Sequence, residues 1–152
     1  MNGGKITSLL IERIQHKLGP LTENSCKYLI YCMCQGLLAF HKRNILHRDI
    51  KSDNVFLAYN GDVKLADLGF SVFLSEQKTN RTTQCGTLNW LAPEIISGQQ
   101  YSKSVDIWAL GITAYEVAKF LPPFLEKDQS VVRLKIMTEP IPSISHRYSP
   151  HF

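Results

Sequence analysis

At 152 residues the chain is long enough for one domain with a substantial core. Its 44% hydrophobic and 20% charged residues exclude a disordered or fibrous protein. The net charge of +4 comes from scattered basic residues and gives no indication of nucleic-acid binding.

The chain starts without a signal-peptide pattern or a myristoylation glycine at position two. Residues 6–15, "ITSLLIERIQ", predict a short amphipathic helix, and "LGPLTEN" breaks it at Gly19-Pro20. Thr22 can then cap a long helix. Cys26, Leu29/Ile30, Met33, Leu37 and Phe40 recur along one stripe of that helix, and Lys42 and Arg43 suit its C-terminal dipole. Asn44 is a fair stop. "YLIYCMCQGLLAF" is too short and interrupted to span a bilayer, so no membrane insertion is expected. Cys26, Cys32 and Cys34 read as small core residues, and with Cys85 they form no CxxC pair, which argues against zinc. A reducing, cytoplasmic compartment fits this usage.

"VFLA" and "VKLA" are strand-like runs joined by "YNGD", the strongest short signal for a hairpin. With Asn60 and Gly61 at the centre of a two-residue type I′ turn, Val55 faces Ala66 and Asn54 faces Asp67. Directly opposed residues share a face with Cβ atoms roughly 5 Å apart. An amide oxygen and a carboxylate at that distance suit a hard divalent cation such as Mg²⁺. A one-residue slip would destroy the arrangement. Asp and Asn are also common at strand ends simply because they hydrogen-bond nearby backbone. The balance shifts with Asp49 just upstream, beside His47, Arg48 and Lys51, because a carboxylate near a metal pair and a lysine can accept a proton from a nucleophile.

Residues 75–90 are polar and without period, and read as a long surface loop. Residues 104–119, "SVDIWALGITAYEVAK", are apolar nearly all round and read as a helix buried inside the domain. Pro122-Pro123 ends it. Asp128 caps a further helix, "QSVVRLKIMTE", before the proline-broken tail "PIPSISHRYSPHF". The expected fold is mainly α with a small β-hairpin.

"HRDIKSDN" followed by "DLG" resembles the catalytic and metal-binding loops of eukaryotic protein kinases. "CGTLNWLAPE" resembles the end of their activation segment, and "SVDIWALGITAYEVAKFLPPF" the buried helix that follows. "HRDIKSDN", "VDIWALGI" and the opening "NGGKIT" resemble in particular the PAK, or sterile-20-like, serine/threonine kinases. The resemblance implies a partial kinase domain over residues 1–152, from the end of the hinge through the larger, C-terminal lobe to the two helices after the activation segment. It implies ATP and Mg²⁺ as cofactors and protein substrates with Ser or Thr acceptors.

By that resemblance Asp49 would orient and deprotonate the substrate hydroxyl, Lys51 would touch the γ-phosphate, and Thr87 would bond near both. Asn54 and Asp67 would hold Mg²⁺, with Phe56 joining them in cofactor binding. His47 and Leu68 would pack in an apolar column, and Asp106 would receive hydrogen bonds from the catalytic-loop backbone; on helix geometry alone it is a simple N-terminal charge. Thr83, where the family often carries an activating phosphate, would pair with Arg48 after modification by an upstream kinase. Thr82 competes for that role. Glu116 stands where some members bind a basic substrate residue.

The metal loop reads Asp-Leu-Gly instead of the commoner Asp-Phe-Gly, and Leu88-Asn89 replace the usual Pro and Tyr, which alters the expected substrate groove. No glycine-rich loop and no "VAIK"-type strand occur, so the expected chain lacks the smaller lobe and the last helices. Glu94 would lack its arginine partner, and a buried carboxylate so stripped costs on the order of 3–5 kcal/mol against a net stability of about 5–15 kcal/mol. These 152 residues alone are therefore expected not to catalyse. Two readings stand, part of a serine/threonine kinase or a non-catalytic lobe that binds substrates or regulators; a third, a small-molecule phosphotransferase, shares the Asp-to-Asn spacing, but the "APE" segment and the "DIWALG" helix argue against it.

Overall fold

The computed structural model describes residues 3–75, 80–144 and 148–149. Part of the expected 75–90 loop, residues 76–79, and part of the tail, residues 145–147 and 150–152, lie outside them. The elements run in the order β1 (Gly4–Lys5), α1 (Ile6–Gln15), α2 (Glu23–Lys42), β2 (Ile45–Leu46), β3 (Val55–Leu57), β4 (Val63–Leu65), β5 (Val72–Phe73), α3 (Pro93–Ile96), α4 (Ser104–Lys119) and α5 (Gln129–Thr138).

Helix α2 starts where a threonine can satisfy an orphan amide: Thr22 Oγ1 accepts from Ser25 N at 3.2 Å. It ends as Asn44 takes a left-handed conformation, φ +55°, which asparagine tolerates. Its buried stripe is Cys26, Leu29, Met33 and Leu37. Cys32 is only half-buried and Cys34 is exposed, so the expectation of three core cysteines holds for Cys26 alone. The reason is angular: one residue past Met33 turns about 100° away from the stripe.

Helix α4 buries Val105, Ala109, Leu110, Ile112, Val117 and Ala118, which explains its near-continuous apolar sequence. Phe120 closes it in a left-handed conformation, φ +71°, with Pro122-Pro123 beyond. Asp128 caps α5 by accepting from Ser130 N at 2.8 Å. The main core joins α1, α2 and α4 to Ile50 and Val55, and a second cluster around Leu46, Ile95 and Tyr101 sits under α3. Among the described residues no helix is long and apolar enough to cross a membrane.

Among the described residues the β-structure comprises two small sheets, where the sequence suggests one hairpin. A three-stranded sheet has the order β1-β3-β4, and β2 pairs with β5. Strands of two or three residues carry too little pattern to read from sequence. The β3–β4 register also differs from the expected one. Val55 pairs with Leu65 and Leu57 with Val63, one residue off. The loop takes three residues, because Gly61 N bonds Ala58 O at 2.9 Å and Ala58 N bonds Asp62 O at 2.8 Å. Gly61, at φ +90°, supplies the left-handed bulge position, while Asn60 stays at negative φ and accepts Asp62 N on its own Oδ1 at 3.1 Å. That is a type I turn with a glycine bulge in place of the type I′ turn.

Candidate active site

The register sets Asn54 opposite Ala66, whose N–H bonds Asn54 O at 2.8 Å. Asn54 and Asp67 therefore do not face each other as the two-residue turn predicts. The chain leaves the ladder at Asp67, which adopts φ +63°, and this breaks strand alternation at that residue. Asp67 is exposed and accepts from Gly69 N at 3.1 Å. It lies close enough to act electrostatically on His47, which also feels Asp49 and Asp106.

β2 pairs with β5, and beyond it the 47–54 segment meets 66–71 through His47 with Ala66 and Ser71, Arg48 with Phe70, and Asn54 with Ala66. Arg48 also takes a left-handed conformation, φ +66°. That leaves two successive amides pointing at one acceptor, and Asp106 fills the role: Oδ2 accepts His47 N at 2.9 Å and Oδ1 accepts Arg48 N at 2.8 Å. His41 adds its Nε2 to Asp106 Oδ2 at 2.8 Å. The Asp106 carboxylate is wholly buried.

Four donors converge on Asp49, which is buried. Thr87 gives its N at 3.1 Å and its Oγ1 at 2.8 Å to Oδ1. Asn54 Nδ2, at 2.8 Å, and Lys51 Nζ, at 3.0 Å, reach Oδ2. Lys51 Nζ also donates to Thr87 Oγ1 at 2.6 Å, closing a ring of three side chains. Burial on its own would raise the Asp49 pKa. The bonds from Thr87 and Lys51 and the Lys51 charge outweigh burial and hold it below the ordinary carboxylate value. At neutral pH Asp49 is therefore an anion, fixed in place and able to receive a proton through a shared hydrogen bond.

His47 is fully buried, and its Nε2 donates to Ala66 O at 3.1 Å. Burial pushes its pKa down, against the pull of Asp106, and Nδ1 has no hydrogen-bond partner among the described residues. Phe40 packs edge-on to the ring at 5.6 Å. Leu68, expected beside His47, is instead 54% exposed. The left-handed Asp67 and the turn closed by Ser71 N on Leu68 O carry it outward. Phe56 is half-buried in β3, paired with Lys64, on the face opposite Val55.

Glu116 differs most from its sequence reading. It is 6% exposed and already engaged: Ser52 gives Oγ at 2.6 Å and N at 3.3 Å to its carboxylate. Thr7 Oγ1 joins Ser52 Oγ at 2.6 Å, linking α1, the 52–54 turn and α4. Burial raises the Glu116 pKa, with Ser52 opposing it. A carboxylate so enclosed holds its own chain, joining α4 to the 52–54 turn. Glu94 is corrected as well: it is half-buried and accepts from Ser104 Oγ at 3.2 Å. The exposure and the hydroxyl remove the cost expected of a stripped, buried charge.

Thr83 has an exposed side chain, and Arg48 reaches its backbone through one hydroxyl: Arg48 Nη1 donates to Tyr101 Oη at 3.1 Å, which donates to Thr83 O at 2.6 Å. Thr7, His41, Ser52 and Tyr101 are members of these networks that sequence reasoning does not single out. Of these, Thr7, inside "NGGKIT", and Ser52, inside "HRDIKSDN", carry a local signal.

The donor types present, an amide oxygen and a carboxylate, are those a hard cation takes. Asn54 spends its amide nitrogen on Asp49 O and Oδ2, both at 2.8 Å, which leaves its amide oxygen as the free prong, and Asp67 offers an exposed carboxylate. Among the described residues no three His, Cys, Asp or Glu side chains cluster as a metal site, so such an ion would rest on this mixed amide–carboxylate pair.

A family profile described as protein kinase domain matches residues 1–150. The serine/threonine-protein kinase SKM1 of Saccharomyces cerevisiae is 39% identical over 150 residues, 96% of this chain and 23% of that protein. CLA4 of Eremothecium gossypii is 37% identical over 148 residues, 96% of this chain and 19% of its own length. The serine/threonine-protein kinase pakA of Dictyostelium discoideum is 37% identical over 154 aligned positions, covering 100% of this chain and 13% of that protein. The chain thus spans less than a quarter of these relatives. With a matching domain across nearly its whole length and relatives of the PAK type, it belongs to the protein kinase family.

Proposed function

We propose that the chain contributes the reacting-hydroxyl side of a serine/threonine protein kinase, transferring the γ-phosphoryl group of ATP to Ser or Thr hydroxyls of protein substrates. The observation that supports this best is the Asp49 carboxylate, held by Thr87 Oγ1 at 2.8 Å, Asn54 Nδ2 at 2.8 Å and Lys51 Nζ at 3.0 Å. An incoming hydroxyl in place of the Thr87 contact would find a proton acceptor of fixed direction, with Lys51 beside it to meet negative charge on a transferred phosphoryl group. Asn54 and Asp67 would hold Mg²⁺, which supplies charge neutralisation on the phosphate oxygens when bound. Catalysis of this kind rests on positioning and electrostatics more than on covalent chemistry. The fold corresponds, on this reading, to the larger lobe of a kinase domain.

The test is ATP–Mg²⁺ binding by calorimetry, followed by phosphate transfer to a mixed Ser/Thr peptide library. Transfer that disappears in Asp49→Asn while ATP binding persists supports the proposal. Transfer unaffected by that change removes Asp49 from the chemistry. A chain that captures peptides but never binds ATP would instead be the non-catalytic module.

A further inference from the structure

Tyr101 is 2% exposed, yet it lies between α3 and α4, away from the Asp49 carboxylate in sequence. Its main chain forms an isolated antiparallel bridge with Arg81, each N–H meeting the other's carbonyl at 2.9 Å. Its hydroxyl donates to Thr83 O at 2.6 Å and accepts from Arg48 Nη1 at 3.1 Å. The same guanidinium donates its Nε to Phe70 O at 2.7 Å, and Arg81 Nη2 donates to Phe73 O. One phenol and one guanidinium thus bind the segment leaving Asp67 and the segment arriving at Thr87 onto a single point of the catalytic loop. Burial keeps the phenol protonated and able to donate.

From Thr83 the chain has four residues in which to reach Thr87. Gly86 lies between them at φ +107°, so close to the loop that a Cβ there would sit 2.6 Å from Arg48 O. Thr87 then gives both its N–H and its hydroxyl to Asp49 Oδ1. A displacement at Thr83 has little slack to absorb it before Thr87.

We infer that Tyr101 is a positioning residue: its hydroxyl fixes the Thr83 carbonyl on Arg48 and thereby sets Thr87 against Asp49, with no phosphate required. Every link is a hydrogen bond to main chain or between neutral and permanently charged groups, so the arrangement exists before Thr83 is modified. The significance rests on the phosphotransfer reading of Asp49. The test does not, because it reads geometry, not turnover.

The experiment compares the full chain with Tyr101→Phe, which removes one hydroxyl and keeps the ring. Amide exchange of Cys85–Thr87 is expected to rise about five- to tenfold, the size of one net hydrogen bond, while Met33–Leu37 in α2 stays unchanged. The Thr87 amide proton shift, which reports its 3.1 Å bond to Asp49 Oδ1, is expected to move upfield as that bond loosens. Thr83→Ala keeps the carbonyl and should leave both readouts at wild type. Unchanged exchange at 85–87, an unmoved Thr87 amide shift, or equal effects from Thr83→Ala would each overturn the inference. A rise shared by α2, or a Tyr101→Phe chain that does not fold, would also overturn it, by making the hydroxyl a support of the whole fold.

Discussion

Removing the Asp106 carboxylate should cost more than any other single side-chain truncation near the site. In Asp106→Ala, the N–H groups of His47 and Arg48 lose acceptors at 2.9 and 2.8 Å, and His41 Nε2 loses one at 2.8 Å, in a place with no exposure to water. An unsatisfied buried donor costs roughly 1–3 kcal/mol, more when the lost partner is charged. For the two main-chain amides together we expect a loss of about 3–5 kcal/mol, or about 6–20 °C in melting temperature for a domain of this size. Asp106→Asn separates the contributions: one oxygen still accepts an amide, while the new NH₂ faces the other, so its cost should be intermediate. Urea denaturation followed by circular dichroism measures both. A loss under about 1 kcal/mol for the alanine variant would mean that water or backbone relaxation replaces the carboxylate, and that Asp106 does not anchor the loop.

Other expectations follow from the same geometry. Gly86→Ala must bring a Cβ to 2.6 Å from Arg48 O at a φ of +107°, and should lose at least about 2 kcal/mol. Gly61→Ala, at φ +90° in open space, should lose only about 1 kcal/mol in the same denaturation series; equal costs would discount the close approach. Hydrogen bonds from Lys27 and then Ser149 lower the Glu23 pKa from 4.5 to about 2, so its stabilising effect is fully present above pH 4.5 and fades as pH falls towards 2. Acid titration of Tyr148 fluorescence should show that loosening in wild type and lack it in Glu23→Gln. Glu116 has the opposite sign: burial raises its pKa, so the folded state binds the extra proton and stability falls as pH rises from the unfolded value of 4.5 through the folded one. Glu116→Gln should flatten that slope while still accepting from Ser52, and a slope that survives would assign it elsewhere.

Sequence legibility tracks how local each determinant is. Helices α1, α2, α4 and α5 are readable because their apolar periods and caps, Thr22 and Asp128, lie within the elements themselves. The hairpin is readable as a hairpin, but its register depends on whether Asn60 takes positive φ. The Asn60 side chain settles that by holding Asp62 N, a choice no count of apolar residues can detect. Glu116 and Leu68 differ from their sequence readings for a related reason. Whether a carboxylate meets solvent or Ser52, and whether a leucine points in or out after a left-handed Asp67, depends on tertiary neighbours. His41 and Tyr101 carry no motif of their own and become visible only through Asp106 and Arg48.

The clasp on His47 and Arg48 comes from a residue 59 and 58 positions further along, and the one on Ser52 from a residue 64 positions away. During synthesis, residues 47–54 would therefore leave the ribosome well before Ser104–Lys119 exists to receive them. Until that helix arrives, the left-handed Arg48 lacks the carboxylate that accepts its amide, and the 47–54 segment lacks its anchor. The clasped geometry of residues 47–54 is thus a late product of folding, complete only once the buried helix is in place.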